Sequence, residues 1–260
     1  MNSPAEISKN YINIGKNKAN LSVFNMLVLG ILAGDFIAIA GVGATVASVS
    51  VKSASIAKLV GACIFPAGLA MVLLAGSELF TGNSLLVIPL LTRDITLGKM
   101  LKNWLFVYIG NFIGALAVAA AVVFSHTLSL FDSAAAQSAV SVAVSKVNLS
   151  FGDAFLKGIL CNFLVCIAVW ISFASKSVGG KIIGLFFPIM IFVLCGFEHS
   201  VANMYYIPAG MFANAEYNIG VTISVYGFLV KNLLPVTLGN IVGGGVVGLA
   251  YWSVYLRKNK

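Results

Sequence analysis

The chain has 260 residues, of which 60% are hydrophobic and only 9% are charged, with 16 Lys and Arg against 8 Asp and Glu. Soluble domains carry about 25% charged residues, so this composition excludes a soluble globular protein and indicates an integral membrane protein. The surplus of basic residues is then a signal of membrane topology, and no nucleic-acid partner is expected.

The first 20 residues are polar and predict a short helix, without the apolar core of a signal peptide. Ser3 is suited to the N-cap, Pro4 to the first helical position and Glu6 to the third. One face of this helix is apolar through Ile7, Tyr11 and Ile14. Residues 1–20 are therefore predicted to form an amphipathic helix that lies on the membrane surface.

Six apolar segments follow, each long enough to form a membrane-spanning helix, which needs about 20 residues. They cover residues 21–50, 61–91, 101–125, 152–174, 182–212 and 227–256. The second and fifth are overlong, and each contains a polar stretch: GSELFTGN at 76–83 and GFEHSVAN at 196–203. The fold class predicted is thus an all-α membrane protein with six spans, two of them broken.

A long connection, residues 126–151, separates the third and fourth segments. Its Ala-, Ser- and Val-rich stretch at 134–145 predicts a short helix, and Ser150 with Asp153 predicts the N-cap of the fourth span. The four Cys residues lie in apolar segments without CxxC spacing, so no disulfide, metal or cofactor is expected.

Six spans place both chain termini on one side of the membrane, and the basic residues indicate which side. The side of the termini carries 11 of them and the other side 5, namely Lys52, Lys58, Lys146, Lys157 and Lys231. The positive-inside rule therefore predicts a cell-membrane protein with a cytoplasmic N-terminus and a cytoplasmic C-terminal tail at 257–260.

The two polar stretches belong to an internal repeat. Gly76, Glu78 and Asn83 recur 120 positions later as Gly196, Glu198 and Asn203. Two further matches have offsets of 128 and 129: Gly30-Ile31-Leu32 with Gly158-Ile159-Leu160, and Gly110-Asn111-x-x-Gly114 with Gly239-Asn240-x-x-Gly243. Since three spans is an odd number, the units 21–125 and 152–256 are predicted to be an inverted repeat.

Paired helix breaks at membrane depth indicate a substrate site, because broken backbone is tolerated only in protein or beside water. The free helix ends would attract anions, and the ionisable His199 is a functional candidate. The duplicated Glu78, Glu198, Asn83 and Asn203 are expected to hold the loops. The alternative is that the glycines only kink the helices or permit close packing.

The stretches AGSELFTGN, GILCNFLVCIAVWIS and GFEHSVANMYYIPAG resemble the formate/nitrite transporter family, and the resemblance covers residues 5 to 256. The match is closest to the clostridial hydrosulfide channel branch. It implies an aquaporin-like fold, a homopentamer and one pore in each subunit for small monovalent anions: hydrosulfide first, then formate and nitrite.

The resemblance also implies the roles of the pore residues. The pore centre is assigned to His199, Thr81 and Asn162, and the cytoplasmic-side gate to Leu79, Phe80 and Val165. The outer constriction is assigned to Phe65, Leu69 and Phe192, and Lys146 to the outer vestibule. Asp35, deep in the first span, matches no position with a known role.

Three alternatives remain open from the sequence. The anion channel could be a proton-coupled formate or nitrite transporter, because a weak acid can cross either as an anion or after protonation near His199. An aquaporin-type channel for neutral solutes lacks its Asn-Pro-Ala signature here. An enzyme using Glu198 and His199 lacks paired metal ligands and a nucleophile, so the chain is expected not to be an enzyme.

Overall fold

A computed structural model describes residues 1–257, which form ten helices and a short 3-10 turn at Thr127–Ser129. The helices are α1 Pro4–Ala19, α2 Val23–Ser48, α3 Ala54–Gly76, α4 Gly82–Leu91, α5 Leu97–Phe124, α6 Ala134–Val147, α7 Phe151–Ala174, α8 Val178–Leu194, α9 Ser200–Glu216 and α10 Gly227–Tyr255. The C-terminal tail was predicted at 257–260, and residues 258–260 of it lie outside the described residues.

Helix α1 begins with the predicted capping box. The Ser3 hydroxyl accepts from the backbone N–H of Glu6, and the Glu6 carboxylate accepts from the backbone N–H of Ser3 at 2.7 Å. Its apolar face, however, packs against protein: Ile7 and Tyr11 are buried, and the Tyr11 ring lies 5.8 Å from that of Phe173. The face predicted for the membrane surface is thus covered by the end of α7.

Five helices, α2, α3, α5, α7 and α10, are long and apolar enough to cross a membrane. Two of the predicted segments are each divided between two helices: 61–91 between α3 and α4, and 182–212 between α8 and α9. Helix α8 has 17 residues, so it falls short of a full span on its own. The short helix predicted at 134–145 is α6, and the Ser150 hydroxyl caps α7 by accepting from the Asp153 backbone N–H.

Helix α2 packs along α5, and α7 packs along α10, with glycines at the closest points. A Cβ atom at Gly114 would collide with the carbonyl oxygen of Ile31, and one at Gly239 would collide with that of Phe155. These backbones touch because neither position carries a side chain. The glycine repeat seen in the sequence is therefore the contact surface of two helix pairs.

Gly239→Ala is expected to lower the midpoint of thermal unfolding in detergent by about 2–12 °C. An added methyl group must push α10 from α7, and such overpacking costs about 1–3 kcal/mol, or about 2–4 °C per kcal/mol for a chain of this size. The matched control is Gly245→Ala on the same helix, where no atom lies within 4 Å of the added Cβ. Equal midpoints for the two variants would contradict the contact.

Candidate functional site

The chain leaves the helical conformation at two places that correspond in the sequence repeat. Helix α3 ends at Gly76 (φ +86°), and the chain runs without regular structure until α4 begins at Gly82. Helix α8 ends at Leu194, and Gly196 (φ +68°) turns the chain before α9 begins. Positive φ is strained for residues other than glycine, which explains glycine at both turns.

A four-residue network holds the first break, and we call it the inner network. The Glu78 carboxylate accepts from the Lys18 ammonium at 2.7 Å and from the Asn83 side-chain amide at 2.7 Å. Asn83 also donates to the side-chain carbonyl of Asn103 at 2.8 Å, and Asn103 donates to the backbone carbonyl of Lys18 at 3.0 Å. The Glu78 side chain is only 7% exposed, so its charge is compensated within the protein.

A second network of the same residue types, the outer network, holds the other break. The Glu198 carboxylate accepts from the Lys146 ammonium at 2.9 Å and from the Asn203 amide at 2.6 Å. Asn203 donates to Asn232 at 2.7 Å, and Asn232 donates to the backbone carbonyl of Lys146 at 2.9 Å. Each of the two buried carboxylates is thus bound by a lysine and by an asparagine.

Two more asparagines tie the backbone of each break to neighbouring helices. The Asn111 side chain accepts from the N–H of Phe80 at 2.9 Å and donates to the carbonyl of Glu78 at 2.9 Å. Asn240 repeats this arrangement, accepting from the N–H of Ser200 at 2.9 Å and donating to the carbonyl of Glu198 at 3.0 Å. Backbone groups that the helices leave unpaired are thus satisfied by side chains.

Five of these residues were not predicted as site residues: Lys18, Asn103, Asn111, Asn232 and Asn240. A signal for them was nevertheless present in the sequence. Asn111 and Asn240 belong to the repeated Gly-Asn-x-x-Gly motif, and Lys18 with Lys146 and Asn103 with Asn232 recur at offsets of 128 and 129. Extending the repeat from apolar motifs to single polar residues would have identified all five.

His199 and Thr81, from opposite breaks, meet at the centre of the subunit. The His199 Nε2 atom lies 2.9 Å from the Thr81 hydroxyl, and both side chains are buried. The His199 Nδ1 atom accepts from the backbone N–H of Ala202 at 3.0 Å. Because Nδ1 accepts, it carries no proton, so these partners assign the hydrogen of a neutral ring to Nε2. His199 then donates to Thr81, and the Thr81 hydroxyl hydrogen is left for another acceptor.

Asn162, the third residue assigned to the pore centre, lies beside the Thr81 backbone. Its side-chain nitrogen is within hydrogen-bonding distance of the carbonyl oxygens of Thr81 (3.2 Å) and Asn240 (2.6 Å) and of the Ser84 hydroxyl (3.1 Å). Its side-chain oxygen is buried and has no partner among the described residues. Asn162 therefore positions the Thr81 backbone, and the Thr81 hydroxyl is left with a hydrogen to donate.

Apolar side chains enclose this centre. The Phe65 and Phe192 rings meet edge to face with centroids 5.7 Å apart, and the Phe192 ring stacks on His199 at 5.9 Å. The void between them has a volume of about 10 Å³ and is lined by Ile37, Phe65, Leu69, Leu79, Val165, Ile189, Phe192 and His199. A single water needs about this much space, so the passage is closed in this conformation.

Phe80 is the one predicted gate residue that does not line the void. Its ring packs instead against Tyr108, 4.8 Å away, and Trp104, 6.0 Å away, on α5. Leu79 and Phe80 are neighbours in the non-helical segment, but Leu79 lines the void while Phe80 packs against α5. Phe80 therefore anchors the break in an aromatic cluster, and Leu79 and Val165 line the void.

A larger cavity of about 360 Å³, the vestibule, opens on the far side of Phe65 and Phe192, and His199 lies at its base. Lys146 lines it, and so do Lys58 and Lys157, to which the sequence analysis assigned no site role. A smaller cavity of about 30 Å³ lies beyond Leu69 and Leu79, on the side of α1. Lys18 is one of the residues that line it. The void shares Phe65 and Phe192 with the vestibule, and Leu69 and Leu79 with the smaller cavity, so it lies between the two.

The sequence of this chain is similar to known transport proteins over nearly its whole length. The family described as Formate/nitrite transporter matches residues 5–253. The formate channel FocA of Haemophilus influenzae is 39% identical over 270 residues, covering 98% of this chain and 95% of that protein. The uncharacterized transporter YrhG of Bacillus subtilis is 40% identical over 262 residues, covering 99% of this chain and 95% of that protein.

Two solved structures share the fold. A pentameric formate channel with formate bound superposes with a TM-score of 0.80 at 32% identity, over 90% of this chain and 98% of that chain. An ion channel described as belonging to the FNT family superposes with a TM-score of 0.84 at 29% identity, over 95% and 98% of the two chains.

Proposed function

Because this chain belongs to the formate/nitrite transporter family, a family of multi-pass membrane transport proteins and not of enzymes, we propose that it is a channel for small monovalent weak-acid anions. The observation that carries the proposal is the Thr81–His199 pair, a buried polar centre enclosed by apolar side chains. Formate is the first anion to test, because the similar FocA proteins are named formate channels. Nitrite and hydrosulfide remain the further candidates that the sequence predicts.

The proposed path runs from the vestibule past Phe65 and Phe192 to His199, and then past Leu79 and Val165 to the smaller cavity. The fold proposed for it is two inverted three-helix units, 21–125 and 152–256, with six spans and broken second and fifth spans, as in the aquaporin-like arrangement. The inner and outer networks support this proposal, since they repeat one set of side-chain roles at both breaks. The proposed assembly is a homopentamer in the cell membrane with cytoplasmic termini, in line with the pentameric relative.

Passage of an anion through this centre requires that its charge be compensated at the constriction, because moving an unpaired charge into apolar surroundings is costly. Two routes are available to a weak-acid anion. In one, Phe65 and Phe192 move apart and the anion accepts a hydrogen bond from the Thr81 hydroxyl, which His199 orients by donating to its oxygen. In the other, the anion takes a proton and crosses as the neutral acid.

Formate flux into liposomes that contain the purified protein tests the proposal. We expect flux well above that of empty liposomes, and Thr81→Val should lower it about 10- to 100-fold, since a hydrogen bond to a charged group contributes about 1.5–3 kcal/mol. Thr45→Val is the matched control, because the Thr45 hydroxyl is also buried but bonds only to Gly41 of its own helix. Flux of formate, nitrite and hydrosulfide no higher than in empty liposomes would refute the function.

The same assay separates the two routes. Collapsing the proton gradient with an uncoupler leaves channel flux of the anion unchanged, whereas it removes uptake by a proton-coupled transporter. The second result would establish the proton-coupled alternative and reject free anion conduction.

A further inference from the structure

Asp35 is a carboxylate at membrane depth that the proposed path does not use. It lies near the middle of the spanning helix α2, and its Oδ1 atom is 2.9 Å from the position that a Cβ atom would occupy on Gly114 of α5. The residue is only half-buried by its own subunit. Among residues 1–257, the carboxylate has no cationic side chain within 4.0 Å and no hydrogen-bond donor. Within the described subunit, Asp35 is therefore uncompensated.

The carboxylates of the two breaks show how this chain accommodates such groups elsewhere. Glu78 and Glu198 are each bound by a lysine and by an asparagine, and their side chains are only 7% and 6% exposed. Lipid tails carry no hydrogen-bond donors, so acidic side chains in membrane-spanning helices almost always face protein or water and find a partner there. Asp35 therefore requires a partner from outside its own subunit.

Asp35 belongs to a row of residues on one face of α2, which we call the α2 stripe. The other members are Val28, Leu32 and Ile39, which are 40%, 38% and 50% exposed. Steps of four, three and four residues place all four on the same face of a helix. The other faces of α2 pack on α3, α5 and α9 of the same subunit. The cover of the stripe in the membrane is therefore lipid, water or another chain.

The corresponding face of α7 has no carboxylate. Leu156, Leu160 and Phe163 lie 128 positions after the first three members of the α2 stripe, and they are 59%, 48% and 43% exposed. The second unit thus packs α7 along α10 with an apolar residue at the position that corresponds to Asp35. The packing of α2 along α5 therefore does not require the acidic group, and its role lies outside the subunit.

We propose that a second copy of this chain covers the α2 stripe in the assembly and supplies the hydrogen-bond donor that the Asp35 carboxylate lacks. The inference rests on the proposed homopentamer, which the pentameric relative with 32% identity supports. In a ring of identical subunits each interface joins two different faces of the chain, so one face carries the carboxylate and the other its donor. A second chain accounts both for the exposed apolar residues and for the acidic residue among them.

Asp35→Leu is expected to lower the temperature at which the oligomer dissociates in detergent by about 5 °C, because the donor of the second copy is left buried without an acceptor. Native mass spectrometry after heating measures the dissociation. Asp35→Asn is the matched control: it is nearly isosteric, keeps an acceptor oxygen and should stay within about 2 °C of the wild type. If lipid covers the stripe, Asp35→Leu instead raises the dissociation temperature or leaves it unchanged, and this result would overturn the proposal.

The same measurement separates this inference from the proposed transport function. A chain that is monomeric before heating would overturn the contact between copies, whatever its formate flux. An oligomer that Asp35→Leu weakens, in a protein without formate flux, would reject the transport function alone.

A spin label identifies the cover of the stripe directly. Ile39→Cys is labelled in a chain whose exposed cysteines, Cys63 and Cys195, are replaced by alanine. Oxygen partitions into lipid and a water-soluble nickel chelate stays in water, so collisions of each with the label distinguish the possible covers. In liposomes we expect low accessibility to both, and a severalfold rise in oxygen accessibility once the subunits are dissociated in detergent. High accessibility to oxygen in the assembled protein indicates lipid, high accessibility to nickel indicates water, and either would contradict a covering chain.

Discussion

His199→Phe is expected to lower formate flux at least about 100-fold while the protein still folds and assembles. The substitution removes the Nε2 donor that lies 2.9 Å from the Thr81 hydroxyl and leaves an apolar ring in the middle of the path. An anion would then meet an apolar ring beside a Thr81 hydroxyl that no longer has His199 to orient it, and the cost of transferring the anion there rises by several kcal/mol. The Phe ring can still stack on Phe192, so the surrounding packing is retained.

Flux assays in liposomes and size-exclusion chromatography in detergent check this prediction together. The matched control is His126→Asn, which changes the other His in the chain, an exposed residue of the α5–α6 connection with positive φ that Asn tolerates. His126→Asn should transport at the wild-type rate. A His199→Phe protein with undiminished flux would remove His199 from the mechanism, and one that elutes as an aggregate would be replaced by His199→Asn.

Glu198→Ala is expected to lower the midpoint of thermal unfolding in detergent by about 10 °C. Its carboxylate, only 6% exposed, accepts from Lys146, Asn203 and Asn232. Removing one partner of a buried ion pair leaves the other charge uncompensated, which costs about 3–5 kcal/mol, or about 2–4 °C per kcal/mol. Because the Glu198 backbone is part of the break, the loop that carries His199 should loosen as well.

Glu216→Ala, at the C-terminal end of α9, is the matched control. Glu216 is more exposed and approaches only His126, at 3.9 Å, so its loss should shift the midpoint by about 2 °C or less. The double variant Lys146→Met/Glu198→Leu removes both charges and should regain part of the lost stability. If Glu198→Ala and Glu216→Ala unfold at the same temperature, the outer network does not stabilise the break.

Much of the architecture was predictable because it depends on local or repeated features. The capping box of α1 follows from Ser3 and Glu6, and the turn at each break follows from a glycine at the same position of the repeat. Apolar segment length identified the spanning helices α2, α5, α7 and α10 nearly to their ends. In each case the residues that determine the structure are either close together in the sequence or can be recognised because they recur in the internal repeat.

The partners of the charged residues were not predictable in the same way. Lys146 and Glu198 are 52 residues apart, and Lys18 and Glu78 are 60 apart. Composition alone predicts that Lys146 is a solvated charge. Lys58 was used only as one of the basic residues that indicate membrane topology. Pairing decides which lysine is compensated, and pairing depends on how α6, α7 and α9 pack around the second break.

The apolar face of α1 and the Phe80 side chain illustrate a related limit. Periodicity shows that Ile7 and Tyr11 share a face but does not show whether lipid or protein covers it. In the structure the end of α7 covers it, through Trp170 and Phe173. Similarly, the sequence shows Leu79 and Phe80 only as neighbours in the first break, and only the position of α5 decides that Phe80 packs against it while Leu79 lines the void.

The sequence by itself determined that this is a helical membrane transport protein with two corresponding breaks, because hydropathy, the positions of glycines and the internal repeat can be read directly from the order of the residues. Only the tertiary structure decided that His199 meets Thr81 across 118 residues and that each break is held by its own Lys–Glu–Asn–Asn network. The physical reason is that the effect of a polar group in an apolar protein depends on its partner, and folding brings partners together from distant parts of the chain.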